Sequence, residues 1–231
     1  MSILLTADAD LPTVPLAPAP WSLTGTGYIL LMKLPVRVLD DPRHTPPELR
    51  GRRRGGLSLA MLVDYESSPV GPYRELLYIP GTFAFGDRVR QSITRIYVSS
   101  LESVVNGRIN WGIPKDVCDF DFRYRQPDGT DRLEASLGGT PFARFAFRPG
   151  WLRLPFASWL LPKALLTLAQ VHGGRQFTYV PSASGSVRLA KLVEATFDAE
   201  RFPDLAQGRV LACVQVPRFT MGFPVSSVQP A

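Results

Sequence analysis

The chain has 231 residues and a mass of 25.5 kDa, enough for one large domain or two small ones. Its 45% hydrophobic content supports a substantial buried core, which excludes disordered and fibrous classes. A net charge of +6, from 26 Lys+Arg against 20 Asp+Glu in a chain only 20% charged, reads as a modest excess spread along the sequence and predicts no nucleic-acid partner. Only Lys33, Lys115, Lys163 and Lys191 are lysines, so each of them stands out against an arginine background. Cys118 and Cys213 are too few and too far apart for a disulfide framework or a zinc site, which points to a reducing, cytoplasmic setting with no metal.

In chain order, Met1 to Trp21 interrupts a short apolar run, Ile3 to Leu5, with Asp8 and Asp10 and then turns proline-rich, unlike a signal peptide. Residues 1–20 are read as an arm, 21–224 as a single domain and 225–231 as a tail. With 22 prolines and 19 glycines, turn punctuation is dense, and the segments between alternate with the period of two expected of half-buried strands. Strands are predicted at Thr26–Lys33, Leu57–Tyr65, Arg74–Ile79, Ile93–Ser99, Asp119–Arg125, Arg132–Leu137, Phe142–Arg148, Phe177–Tyr179, Val187–Thr196 and Arg209–Val216. Gln126-Pro127-Asp128-Gly129 is a turn signal joining two of them into a hairpin. One antiparallel sheet is the economical expectation. The arginines at 50, 52, 53 and 54, among prolines and glycines, read as a solvated loop, with an anion-contact surface as the sharper alternative.

Two helices are expected. The first starts at Ser99, capped with help from Glu102, and ends at Gly107. The second starts at Pro162 and turns Leu165, Leu166 and Leu168 toward a core, with His172 near its C-terminal end. The surrounding apolar stretch, Trp151 to Gln170, contains Arg153, Pro155, Pro162 and Lys163, which argues against a membrane span, and no membrane partner is expected.

No phosphate loop, dinucleotide fingerprint or nucleophile elbow is present, and no cofactor is implied. The unusual segment is Gly107-Arg108-Ile109-Asn110-Trp111-Gly112-Ile113-Pro114-Lys115-Asp116. Lys115 follows apolar residues in a turn stiffened by proline and glycine. Burial there would lower its pKa and leave a neutral amine able to attack a carbonyl. The plainer alternative is a surface turn whose lysine reaches water beside Asp116.

The run Asn106 to Lys115, preceded by Tyr97-Val98-Ser99-Ser100 and a short helix, resembles the acetoacetate decarboxylase family, whose Pro-Lys turn carries a Schiff-base lysine. Upstream, Ser68-Pro69-Val70-Gly71-Pro72-Tyr73-Arg74-Glu75 is similar to that family's Gly-x-Tyr-x-Glu segment. The resemblance implies a mainly β, α+β fold: antiparallel strands closing into a cone or barrel with a few short helices. It implies Lys115 as nucleophile, Glu75 as its acidic partner, and Tyr73, Trp111, Tyr28 and Phe142 as substrate contacts, with no metal or other cofactor. The partners implied are a small-molecule carbonyl compound and further copies of the chain in a homo-oligomer.

The sequence departs from the family pattern at three places. Asp116 follows Lys115 where the family has a second lysine. Thr26 or Gly27 stands where it has an arginine, and Ala60 where it has a second glutamate. A charge-poor pocket favours a larger or less polar substrate than acetoacetate, with Phe142, Trp151, Phe156 and Trp159 as possible walls. The expected activity is a decarboxylase-like lyase working through an imine. Aldol or dehydration chemistry on the same imine, and non-catalytic binding of an apolar metabolite, are the alternatives.

Overall fold

A computed structural model describes residues 7–231; the opening apolar run Ile3 to Leu5 lies outside the described residues. The elements, in chain order, are β1 (Trp21–Lys33), α1 (Val36–Leu39), β2 (Arg53–Gly55), β3 (Ser58–Ser67), β4 (Tyr73–Ile79), β5 (Thr82–Phe85), β6 (Arg88–Gln91), β7 (Arg95–Val98), α2 (Leu101–Trp111), β8 (Lys115–Val117), β9 (Asp119–Arg123), β10 (Asp131–Leu137), β11 (Thr140–Ala157), α3 (Lys163–Leu166), β12 (Leu168–His172), β13 (Arg175–Tyr179), β14 (Ser182–Phe197), β15 (Arg209–Phe223) and β16 (Ser227–Pro230). They build two sheets rather than the single one expected. Ten strands form a nearly closed, barrel-like sheet in the order β8-β7-β4-β3-β1-β15-β14-β11-β10-β9, and six form a smaller sheet, β16-β13-β12-β6-β5-β2. Pairing is antiparallel except at β7–β8 and β12–β6, which are parallel.

Strand alternation sorts the side chains of the large sheet into two apolar clusters. Residues opposite one another in register share a face. The row Tyr28, Leu62, Leu76, Tyr97 therefore points one way, into a cluster closed by Phe142, Phe145 and Phe147. The neighbouring row Gly27, Val63, Glu75, Val98 points the other way, with Tyr65 and Tyr73, into a cluster closed by α2 and by Leu168 and Tyr179 of the small sheet. Lys115 lies across from Ile96 on β7 and so belongs to this second face. The site is thus set between the large sheet, a helix and the small sheet.

Several expectations are corrected here. Helix α2 is capped by Ser100, whose hydroxyl accepts from the Ser103 amide at 3.1 Å, while Ser99 accepts instead from the Arg74 amide. The helix runs through Gly107 and stops at Gly112, which adopts a left-handed φ of 62°. A Cβ at Gly112 would also sit 2.5 Å from the Phe177 ring, so both backbone and space require glycine. The segment after Pro162 makes only one helical turn before becoming β12, and His172 is a strand residue bonded to Asp8 at 2.7 Å, not a helix cap.

The arginine loop is partly tied down. Arg53 begins β2 and pairs with Asp40, and Arg50 donates to the Pro42 and Thr45 carbonyls. Residues 227–230, expected in a tail, add β16 to β13. The described part of the arm is held against α2 by two asparagines: Asn106 accepts from the Ala17 amide and donates to the Pro15 carbonyl, and Asn110 accepts from the Ala19 amide and donates to the Ala17 carbonyl.

Candidate active site

Lys115 opens β8 directly after the Gly112-Ile113-Pro114 turn. The turn is fastened by Arg108 of α2, whose buried guanidinium donates twice to the Lys115 carbonyl, at 3.0 and 2.7 Å. The lysine side chain then runs back across α2. It crosses at Gly107, where a Cβ would stand 2.7 Å from Lys115 Cδ and 2.9 Å from Cε. A mid-helix glycine is normally unfavourable by about 1 kcal/mol against alanine. Here the missing methyl is the channel through which the lysine stem reaches the core.

The amine ends on three groups. Nζ donates to Glu75 Oε2 at 2.9 Å and to Ser103 Oγ at 3.0 Å, and it stands 5.1 Å from the centre of the Tyr73 ring. Glu75 Oε1 accepts in turn from the Tyr65 hydroxyl at 3.2 Å. Lys115 is 4% exposed and Glu75 3%, and both tyrosines and Ser103 are buried.

Burial pushes the Lys115 amine down, but the Glu75 carboxylate and the Tyr73 hydroxyl beside it outweigh that and hold it above the ordinary lysine value of 10.5. The expected depressed amine is therefore corrected: with Glu75 ionised, the resting lysine is an ammonium. Burial also raises both phenols, Tyr73 to about 12 and Tyr65 well above 10, so each is a neutral hydroxyl at pH 7. A pair like this is poised for proton transfer. Moving one proton over 2.9 Å from Nζ to Oε2 turns the ion pair into a neutral amine and a neutral carboxylic acid.

Asp116 does not enter this network. It lies in register with Tyr97, on the sheet face opposite Lys115, and its carboxylate accepts from the Val117 amide at 2.9 Å. Its charge raises the Tyr97 and Cys118 values alongside burial, whereas burial, Glu75 and Tyr73 lead the effects on the lysine. Asp116→Asn is expected to leave the pH dependence of amine reactivity in place, which a pH series of amine-labelling rates checks.

Of the predicted site residues, the structure brings Lys115, Glu75 and Tyr73 together. Trp111 lies in the same apolar cluster, edge-on to Trp21 at 5.0 Å, with its indole N–H donated to the Pro224 carbonyl. Tyr28 and Phe142 are not brought to Lys115. Tyr28 faces the other cluster, where it donates to Asp131 at 2.5 Å, accepts from Gln215 at 2.9 Å and stacks on Phe147, and Phe142 packs on Tyr97 there. Of the other suggested pocket walls, Trp151 and Trp159 are on the surface.

Thr26 and Ala60 also point to the far face, and Gly27, which shares the Glu75 row, has no side chain. No arginine or second glutamate from those three positions reaches the amine. The sequence reading missed Ser103, Tyr65 and Gly107. Their signals were Tyr65 in register with Tyr73 across the β3–β4 turn, and two small residues four apart on one helix face.

No family model matches the sequence, and no curated protein matches it. The fold itself has solved counterparts. An acetoacetate decarboxylase-like enzyme from Sphingomonas wittichii RW1 superposes with a TM-score of 0.66 at 13% identity, over 94% of this chain and 95% of that one. This chain has the acetoacetate decarboxylase-like fold. Acetoacetate decarboxylase from Legionella pneumophila superposes with a TM-score of 0.62 at 11% identity, covering 99% and 93% of the two chains. The enduracididine biosynthesis enzyme MppR, complexed with the condensation product of pyruvate and imidazole 4-carboxaldehyde, does so with a TM-score of 0.62 at 14% identity, covering 92% and 90%. The acetoacetate decarboxylase-like fold thus extends over nearly the whole chain.

Proposed function

We propose that the protein is a lyase that forms an imine between Lys115 and a carbonyl or β-keto acid substrate other than acetoacetate. The observation that carries this reading is a fully buried lysine whose amine is held 2.9 Å from a buried glutamate, with no arginine from the positions where the resembled family carries one. A surface lysine needs no such setting, and a merely structural ion pair would be an expensive way to fill a core.

In the reaction, Glu75 takes a proton from Nζ, and the neutral amine adds to the substrate carbonyl carbon. Glu75 then gives that proton to the carbinolamine oxygen, which leaves as water, and the resulting iminium withdraws the electron pair of the neighbouring carbon–carboxylate bond as carbon dioxide leaves. The enamine carbon takes a proton from solvent, relayed through the Glu75 carboxylate, and hydrolysis of the iminium releases the product ketone and the lysine. Tyr65, donating to Glu75 Oε1, keeps the carboxyl oriented through both transfers. Tyr73 offers its ring face to the ammonium and the iminium, a favourable contact for a desolvated cation. The side chains packed around the amine are mostly aromatic and aliphatic, which favours a substrate with apolar groups over a small charged acid.

Aldol-type chemistry on the same imine is the second reading, supported by the condensation product carried by the structurally similar MppR. Product analysis separates the two. Carbon dioxide release from β-keto acids without added aldehyde supports decarboxylation, and condensation that depends on an aldehyde replaces it with the second reading. Both cysteines are buried and unbridged, which accords with a cytoplasmic setting, and self-association into a homo-oligomer, measurable by light scattering, stays part of the proposal.

A further inference from the structure

The cationic excess, read from composition as spread along the chain, is concentrated. Residues 135–193 contain seven Lys or Arg and no Asp or Glu, while the rest of the chain has 19 Lys+Arg against its 20 Asp+Glu. This acid-free stretch also holds the most exposed aromatic side chains. Trp151 is 87% exposed and Trp159 80%, with Leu152, Leu154, Leu160 and Leu165 open beside them and Leu189 at 74% on the adjoining strand.

The geometry explains why. Past Phe147, β11 leaves its pairing with β10 and continues as a ribbon paired with β14 alone. The Ser158–Leu160 turn is tied to the end of this ribbon by the Ala183 amide, which donates to Ser158 Oγ at 2.9 Å. Arg148, Arg153, Lys163 and Lys191 lie exposed around the apolar side chains, and none of them has an acidic partner among the described residues. No helix among the described residues is long and apolar enough to cross a membrane.

We propose that this ribbon, with the turn after it, docks the protein on the surface of an anionic phospholipid bilayer. Tryptophan and leucine would enter the headgroup boundary while unpaired arginine and lysine meet lipid phosphates. Charge complementarity selects this occupant over a second copy. A two-fold contact through the ribbon would set one acid-free surface against another. Strand addition at the free edge is also obstructed, since Pro149 and Pro155 cannot donate backbone hydrogen bonds. Arg153, Pro155, Pro162 and Lys163, on which the expectation of no membrane partner rests, argue against a membrane span and not against a surface contact. The inference is independent of the imine chemistry.

The test is co-sedimentation of the full-length protein with vesicles of phosphatidylcholine alone and with added phosphatidylserine, at low and high salt, with solution mass by light scattering. The proposal predicts binding to phosphatidylserine vesicles that weakens with salt, falls about tenfold or more in Trp151→Ser/Trp159→Ser, and falls about fivefold in Arg153→Gln. All three residues are exposed, so these variants fold. Equal sedimentation with and without vesicles overturns the proposal. If Trp151→Ser/Trp159→Ser then also breaks up an oligomer, the ribbon is a contact between copies. Vesicle binding that the variants leave intact overturns it too, by placing the lipid site elsewhere.

Discussion

Glu75→Gln is expected to make Lys115 a better nucleophile at neutral pH and yet to slow the proposed reaction. With the carboxylate gone, burial is opposed by the Tyr73 hydroxyl without Glu75, and the amine's pKa falls below the ordinary lysine value. Imine trapping in the variant therefore reaches its plateau at a lower pH than in the parent protein, where it climbs through the alkaline range. Turnover still drops by about 10²–10⁴-fold, because glutamine can neither accept the proton from Nζ nor pass one to the carbinolamine oxygen or the enamine carbon.

Stability carries the same signature with opposite signs. In the parent, the lysine value is raised on folding, so its contribution is fully present below the unfolded value of 10.5 and is lost as the pH rises through the folded value. In the variant the folded value is depressed and the unfolded chain binds the extra proton. Stability then rises with pH between the depressed folded value and the unfolded value of 10.5, by at most about 1.4 kcal/mol per pH unit. Denaturant titrations at several pH values check the inversion. Parallel pH profiles in the two proteins would show that Glu75 does not set the amine.

Gly107→Ala is the second large effect, and it separates geometry from stability. The added methyl would lie 2.7 Å from Lys115 Cδ and 2.9 Å from Cε, closer than real contacts allow, so the lysine stem must move. The atoms it meets belong to a flexible side chain, and alanine stabilises a helix by about 1 kcal/mol relative to glycine, which offsets much of the strain. The melting temperature is expected to stay within a few degrees. Displacing Nζ by about 1 Å from its position between Glu75 and Ser103 is enough to slow the reaction about 100-fold. A variant with unchanged imine kinetics would mean that the lysine stem does not depend on this crossing point.

Much of the fold was legible because half-buried strands write their geometry into every second residue: β1 alternates through Leu30 and Met32 and β10 through Leu133 and Ala135, and the punctuation between strands is explicit. Lys115 stood out for its apolar neighbours in a rigid turn. What was hidden depended on contacts between distant segments. Gly107 resembles a helix stop unless the lysine stem lying over it is known. The leucines after Pro162 resemble a buried helical stripe, but β12 forms there because β13 and β6 supply ladder partners that local pattern does not show. Tyr28 shares a strand with residues of the site face and was assigned to the pocket, yet its position in the alternation sends it to the opposite cluster. The sign of the lysine shift was missed for a similar reason. Burial was inferred from neighbours in sequence, whereas the carboxylate that reverses its effect is forty residues away.

The most direct measurement is borohydride reduction of the native protein in the presence of a panel of ketones, keto acids and aldehydes, followed by mass spectrometry of the peptide containing Lys115. The account predicts a reduced adduct confined to Lys115 among the four lysines, lost in Lys115→Ala, and forming faster as the pH rises toward the amine's raised value. A folded protein that yields no adduct at Lys115 with any carbonyl from neutral to alkaline pH would contradict it, leaving the Lys115–Glu75 pair a structural element of a pocket that binds without chemistry.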